Sequence, residues 1–168
     1  MPTNRPLPLD PIAEAHRQWE QRWDAADVMA AATSIMRAQQ IVQARVEEAL
    51  RAFDLTFARY EALVLLGFSR RGALPMGKMG ERLMIHPTSV TNIVDRLEVQ
   101  GFVRRRPHET DRRTTLVEIT DTGRQVMERA TKEVITSSFG LDVLSSREVD
   151  QLTRLLRKVR IAVGDFTP

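Results

Sequence analysis

The stretch PTSVTNIVDRLEVQGFVRRRPHETDRRTTLVEIT, residues 87–120, decides the fold of this chain. Its first part has apolar residues at the i, i+3, i+4, i+7 spacing of one helix face, namely Val90, Ile93, Val94 and Leu97. Gly101 then predicts the end of that helix, because a glycine tolerates the left-handed conformation that commonly follows a last turn. Residues 102–106 and 114–120 alternate with a period of two, so the stretch indicates a helix followed by a β-hairpin.

The composition is that of a globular protein, with 168 residues, 42% apolar and 28% charged. No cysteine is present, which excludes disulfides and thiolate chemistry. No apolar run is long enough to span a bilayer, and the first residues lack the apolar core of a signal peptide. We therefore expect a cytoplasmic protein without a membrane partner.

Helix signals continue on both sides of the opening stretch. Asp10-Pro11 and Thr56 predict helix starts, and a long apolar face predicts a helix over residues 27–53. Residues 76–84 predict a short helix, and Thr120-Asp121 a further start, with an apolar face that extends to Leu141. Ser145 and Glu148 have the spacing of a capping box, which predicts a last helix.

The order of these elements predicts a mainly α fold with a small β-hairpin wing. Two short helices, a tight connection and a hairpin are the plan of a winged helix-turn-helix, which we assign to residues 54–123. Residues 1–9, with three prolines, predict a flexible tail. The predicted helix over residues 27–53 is about 40 Å long, at ~1.5 Å per residue, which is too long for a small domain to cover, so we expect it to reach a partner subunit.

The predicted helix 87–100 has an unusual polar face. Short donors and acceptors suited to base edges and phosphates lie there in place of the usual Glu, Lys and Ala. The predicted contacts to DNA are Pro87, Thr88, Ser89, Thr91, Asn92 and Arg96. The alternative is an ordinary solvated helix face, but the concentration of poor helix formers favours DNA recognition.

The hairpin carries a dense group of arginines around a polar turn. Same-sign charges on neighbouring strand positions destabilise a hairpin, and a phosphate backbone outside the fold would compensate them. We expect the Asp111 carboxylate to pair with the Arg113 guanidinium and to fix the tip. The predicted wing contacts to DNA are Arg104, Arg106, Asp111, Arg112 and Arg113. The alternative is a hairpin kept soluble by its charge.

Residues 89–123, SVTNIVDRLEVQGFVRRRPHETDRRTTLVEITDTG, resemble the MarR family of bacterial transcription regulators. The stretches Asp-Arg-Leu-Glu-x-x-Gly-Phe-Val and Asp-Arg-Arg-x-x-x-Val-x-Ile-Thr-x-x-Gly both match in order and spacing. The resemblance implies a homodimer built from the helices of residues 10–53 and 124–168. It further implies recognition helices in the major groove and a wing arginine, here Arg113 and also Arg112, in the minor groove. It also implies repression relieved by a small, often anionic or phenolic effector.

The additional N-terminal helix resembles that of the urate-responsive branch of the family. That resemblance implies a ligand pocket with Trp19, Glu61 and Arg105, and Arg37 and Arg59 are further cations for a ligand carboxylate. Ile93 replaces a second pocket arginine of that branch, which argues against urate and leaves a related organic anion, or no ligand of that type, as the alternatives. The alternative for Trp19 is apolar packing with Trp23, four residues later.

Other classes of function have less support in the residues. No set of nucleophile, base and orienting group and no glycine-rich phosphate loop is found, so we predict neither an enzyme nor a cofactor or metal site. The remaining alternatives are a winged-helix module that binds an acidic protein and a protein that compacts DNA without sequence preference. The expected partners are double-stranded DNA, a second copy of the chain and a small effector.

Overall fold

A computed structural model of the chain describes residues 7–108, 111 and 113–167. The α-helices are α1 (Pro11–Glu20), α2 (Ala26–Leu50), α3 (Phe57–Phe68), α4 (Met76–Leu83), α5 (Pro87–Val99), α6 (Asp121–Thr136) and α7 (Ser146–Ala162). The strands are β1 (Ala73–Pro75), β2 (Val103–Pro107) and β3 (Thr115–Ile119), and short 3-10 turns cover Arg51–Phe53 and Ser138–Gly140. The mainly α winged-helix fold predicted from the sequence is confirmed.

The predicted helix starts are confirmed by their hydrogen bonds. The side chains of Asp10, Thr56 and Thr120 accept main-chain N–H groups two or three residues later, and the α7 start has the full capping box of Ser145 and Glu148. Each bond satisfies a donor that the first turn of a helix leaves without a partner. The polar residues between the apolar segments therefore set where these helices begin.

The chain forms two compact units, residues 1–43 and 44–168. In the first unit, the His16 Nε2 lies 2.9 Å from an Asp27 carboxylate oxygen and links α1 to α2. The Trp19 and Trp23 rings contact each other with centroids 4.9 Å apart, but α1 ends at Glu20 and Trp23 lies in the turn after it. Of the predicted tail, residues 1–6 lie outside the described residues, and the predicted domain boundaries stay predictions.

The core of the second unit lies between α3, α5 and the sheet. Leu63 and Leu66 of α3 are fully buried, as are Val94 and Leu97 of α5 and Val117 of β3. The apolar stripe predicted for α5 is thereby largely confirmed. Burial of this stripe fixes which face of α5 turns toward solvent.

The sheet has three antiparallel strands in the order β1-β3-β2, so the prediction of a two-stranded hairpin was incomplete. Ala73 pairs with Glu118 and Val103 pairs with Ile119, which makes β3 the central strand. β1 has only three residues, one of them Pro75. Such a segment is too short to show the period of two on which the prediction of a strand depends.

Two predicted helices end earlier than expected. α2 stops at Leu50 and a 3-10 turn follows, after which Asp54 takes a left-handed conformation with φ 52°. α6 stops at Thr136, so the prediction that Leu141 continues its apolar face was wrong. Phe139 has φ 54°, a left-handed value that an α-helix does not allow.

No helix in the described part of the chain is long and apolar enough to cross a membrane.

Gly123, in the first turn of α6, allows the main chain of the wing to approach closely. A Cβ at this position would lie 2.0 Å from the Phe102 carbonyl oxygen. The obstacle is main chain and cannot rotate away. The connection from α5 into β2 therefore depends on a glycine here.

We predict that Gly123→Ala destabilises the protein, by about 2 kcal/mol or more in the free energy of unfolding, because the added carbon overlaps main-chain atoms. Urea denaturation at one fixed protein concentration measures this free energy. Gly77→Ala is the matched control, since a Cβ at Gly77 of α4 meets no atom within 4 Å. It should leave stability unchanged or raise it by up to ~1 kcal/mol. Equal stability of the two variants would contradict the prediction.

Candidate nucleic-acid interface

Helix α5 presents the polar residues predicted to contact DNA. Pro87, Thr88, Ser89, Thr91, Asn92 and Arg96 are all exposed. His86 caps the helix, because its Nδ1 accepts the Thr88 N–H at 3.3 Å, and Pro87 occupies the first turn. The exposed polar face thus begins at a helix N-terminus, where free N–H groups favour phosphate oxygens.

The turn before α5 holds the helix at a fixed angle to α4. Met84 takes a left-handed conformation with φ 55°, and the Ile85 N–H donates to the Gly80 carbonyl at 3.1 Å. Gly80 is buried, and a Cβ there would lie 3.4 Å from Val90 of α5. α4 and α5 therefore form a closely packed helix-turn-helix, which presents the polar face of α5 outward.

Two wing arginines share one carboxylate of the sheet. The Nε of Arg104 and the Nε of Arg106 lie 3.0 Å and 3.1 Å from Glu118 Oε2 on the central strand. The hydrogen bond from Arg104 is the main cause that holds the pKa of Glu118 below its ordinary value. The expectation that the hairpin charge lacks compensation inside the fold was therefore wrong for Arg104 and Arg106, because the Glu118 carboxylate of the neighbouring strand lies beside them.

Arg105 points to the other face of β2 and reaches α5. Its guanidinium forms ion pairs with Asp95 and Glu98, and its main-chain N–H donates to Glu98 Oε1 at 2.9 Å. The resemblance placed Arg105 in a ligand pocket, whereas the structure places it between the wing and α5. Asp95 and Glu98 both lie in the stretch 87–120 with which the sequence analysis began. Their pairing with Arg105, however, depends on the distance between helix α5 and strand β2.

The tip of the wing is fixed by Asp111. Its carboxylate accepts the Arg113 N–H at 3.0 Å and the Thr114 hydroxyl at 2.6 Å. The predicted pairing with the Arg113 guanidinium was wrong, since Asp111 holds the main chain instead. Arg113 is exposed, and within the described residues its guanidinium has no carboxylate partner. Arg112 lies outside the described residues.

The predicted ligand-pocket residues do not converge in the second unit. Arg59 lines a polar cleft of about 500 Å³ together with Asn92, Ile93 and Arg96 of α5. Glu61 and Arg105 do not line this cleft. Partial desolvation raises the pKa of Glu61 above its ordinary value.

The other two predicted pocket residues belong to the first unit. Trp19 donates its indole N–H to the Asp24 carbonyl at 3.0 Å. Arg37 donates to the Gln40 side chain at 3.0 Å. Both bonds stay within one unit, so the prediction that these residues line a pocket stays a prediction.

A second cavity escaped the sequence analysis. A groove of about 600 Å³ between α3 and α6 is lined by Tyr60, Phe68, Met127 and Ile135, among others. Phe68, at the end of α3, is 84% exposed. In residues 7–108, 111 and 113–167, no group of three or more potential ligands is placed to hold a metal ion.

Comparison with known proteins gives a consistent result. Residues 55–115 match the sequence profile described as MarR family. The MarR family transcriptional regulator Sco5413 from Streptomyces coelicolor is 51% identical, with a TM-score of 0.79 over 86% of this chain and 100% of that chain. A second regulator of that family and organism, Sco3205, solved in complex with DNA, is 25% identical, with a TM-score of 0.75 over 88% and 92%. The organic hydroperoxide resistance transcriptional regulator of Bacillus subtilis is 31% identical over 107 residues, or 64% of this chain and 71% of the relative.

We predict that acid loosens the tip of the wing. The hydrogen bond from Thr114, followed by that from the Arg113 N–H, holds the pKa of Asp111 below its ordinary value. A lowered pKa means that the stabilisation is present above the ordinary value, about 3.9, and is lost as pH falls through the lowered value.

Amide hydrogen exchange at Arg113, followed by NMR from pH 6 to below about pH 4, measures this change. Asp111→Ala should show fast exchange already at pH 6, whereas wild type should be protected there. The control is Asp142→Ala, an exposed carboxylate after α6. Equal protection of Arg113 in wild type and Asp111→Ala at pH 6 would contradict the role given to Asp111.

Proposed function

The chain belongs to the MarR family of transcriptional regulators, and from this membership we propose that it binds a pseudo-palindromic DNA operator as a homodimer and represses transcription. The observation that carries the proposal is the exposed polar face of α5 directly beside a basic wing. Short hydroxyl and amide side chains of this face suit base edges in the major groove. The relatives named above are regulators of transcription, and one of them was solved with DNA.

The charge of the wing supports contact with phosphate. Arg113 is exposed at the tip, and the Asp111 hydrogen bonds fix the main chain that carries it. An arginine on a fixed main chain can neutralise a phosphate, and so release a condensed counterion from DNA, without the entropic cost of first ordering the loop. Arg104, whose side chain is 68% exposed, adds a further cation to the surface of the wing.

Unpartnered apolar residues support a homodimer. α7 has no buried residue in the monomer, although Leu155 is 52% exposed and Val159 is 60% exposed on one helix face. In α2, Val28 and Ile35 are exposed to 68% and 47%. Apolar faces of this kind are typical of helices that a second subunit covers.

Two cavities support release by a small effector that is anionic or aromatic. The groove between α3 and α6, about 600 Å³, is within the size range of small-molecule sites, about 300–1,000 Å³. The polar cleft beside α5 contributes two cations, Arg59 and Arg96, for an anionic group. An effector acts only through its different affinity for the DNA-competent and incompetent states.

Selection from random duplex DNA at about 150 mM salt, followed by sequencing, tests the proposal. The expected result is one inverted repeat whose half-sites lie about one helical turn, ~34–36 Å, apart. A winged-helix module that binds an acidic protein would enrich no sequence and would bind DNA weakly. A DNA-compacting protein would bind strongly and also enrich none.

We predict that Arg113→Ala weakens operator binding about fivefold or more and lowers the slope of log affinity against log salt by ~0.9 for each phosphate that the arginine neutralises in wild type. The reason is that an exposed arginine at the tip contributes mainly through counterion release. Fluorescence anisotropy across a salt series measures both quantities. Arg154→Ala, which removes an exposed arginine of α7, is the control and should change neither. Wild-type affinity and slope in Arg113→Ala would exclude the wing contact.

We predict that Val159→Glu dissociates the homodimer, because it places a charge in the apolar face of α7. Sedimentation velocity over a range of concentrations should show the dimer's dissociation constant rising by at least about tenfold. Arg154→Glu places the same glutamate on the same helix, away from the side of Leu155 and Val159, and should sediment as wild type. A monomeric wild type, or a Val159→Glu variant that stays fully dimeric, would contradict the assignment of α7.

A further inference from the structure

Arg105 of β2 forms several polar contacts with the recognition helix, α5. Its guanidinium forms ion pairs with both Asp95 and Glu98, and its main-chain N–H donates to Glu98 at 2.9 Å. The Arg105 side chain is only 27% exposed. Since β2 alternates, its neighbours Arg104 and Arg106 lie on the opposite face with Glu118.

We propose that Arg105 is a positioning residue, which fixes α5 relative to the wing and thereby sets sequence specificity without contacting DNA. The inference rests on the proposed function, since it concerns how the same DNA-binding surface is held. It assigns to Arg105 a role distinct from that of Arg113, although both belong to the same basic hairpin.

The geometry favours positioning over a phosphate contact. Asp95 and Glu98 lie three residues apart and therefore on one side of α5. A planar guanidinium that reaches both carboxylates restrains rotation of the helix about its axis as well as its distance from β2. Two carboxylates also neutralise the Arg105 charge, which leaves little attraction for a phosphate.

For neutralisation of Asp95 or Glu98, this arrangement predicts a change in operator affinity opposite to the one that charge alone predicts. Asp95 and Glu98 are negative charges on a helix that faces DNA, so their removal should strengthen binding if charge alone mattered. If they hold Arg105, their removal should instead weaken operator binding, because α5 loses its fixed orientation. Glu98→Gln keeps an oxygen for the Arg105 N–H and so removes mainly the ion pair.

The experiment measures affinity for the selected operator and for random duplex DNA across a salt series. Glu98→Gln should lower operator affinity on the order of tenfold, while random-DNA affinity and the salt slope stay at or above wild type. Asp95→Asn, at the more exposed partner, should act in the same direction. Glu133→Gln on α6 removes an exposed carboxylate elsewhere and should behave as wild type.

Substitutions of Arg105 separate positioning from contact. Arg105→Gln and Arg105→Lys should both lose operator affinity and keep the salt slope, because an ammonium cannot bridge two carboxylates as a guanidinium does. If Arg105 contacts phosphate, Arg105→Lys should recover most of the affinity, and Arg105→Gln should lose affinity equally for both DNAs with a slope lower by ~0.9. That pattern would overturn the inference.

A readout without DNA completes the test. Amide hydrogen exchange in α5 of the free protein should be faster in Glu98→Gln and Asp95→Asn than in wild type, with exchange in α3 unchanged. Stronger operator binding by both variants, or wild-type exchange together with wild-type specificity, would also overturn the inference. Absence of any sequence preference in wild type would instead contradict the proposed function.

Discussion

The central strand β3 joins two parts of the winged helix-turn-helix that lie far apart in sequence. It pairs with β1, before the helix-turn-helix, and with β2, after it. The fully buried Val117 anchors this strand in the core, and the Thr120 cap starts α6 directly after it. The position of α5 therefore depends on strand pairing that is completed only when the chain returns from the wing.

Three arginines of the hairpin, Arg104, Arg105 and Arg106, form ion pairs with carboxylates of the same chain. Glu118 pairs with Arg104 and Arg106, and Arg105 pairs with two carboxylates of α5. Ion pairs at partly exposed sites contribute little to stability, about 0–1 kcal/mol, so their main effect is on geometry. These ion pairs define the shape of the wing, whereas Arg113 at its tip remains exposed.

The sequence predicted what depends on local periodicity and capping. The caps of α1, α3, α6 and α7 and the apolar stripe of α5 were all predicted, because each signal lies within a few residues. The strand β1 was missed, since three residues carry no period. The partners of Arg105 and the role of Asp111 were also missed. Which atoms meet across a helix and a strand depends on tertiary distances that spacing does not encode.

Under the proposed function, the lack of buried residues in α7 makes the geometry of DNA binding depend on a second copy of the chain. A helix with apolar residues and no buried position is incomplete in a single chain. If a second copy covers it, the distance between the two α5 helices is set by that contact and by the Arg105 ion pairs that orient each α5. A change in the α7 contact or in the Arg105 ion pairs would alter operator affinity without contacting a base. The condition is that the change affects the DNA-competent and the incompetent state of the dimer differently. On this proposal, an effector that binds away from the DNA surface would be sufficient for regulation.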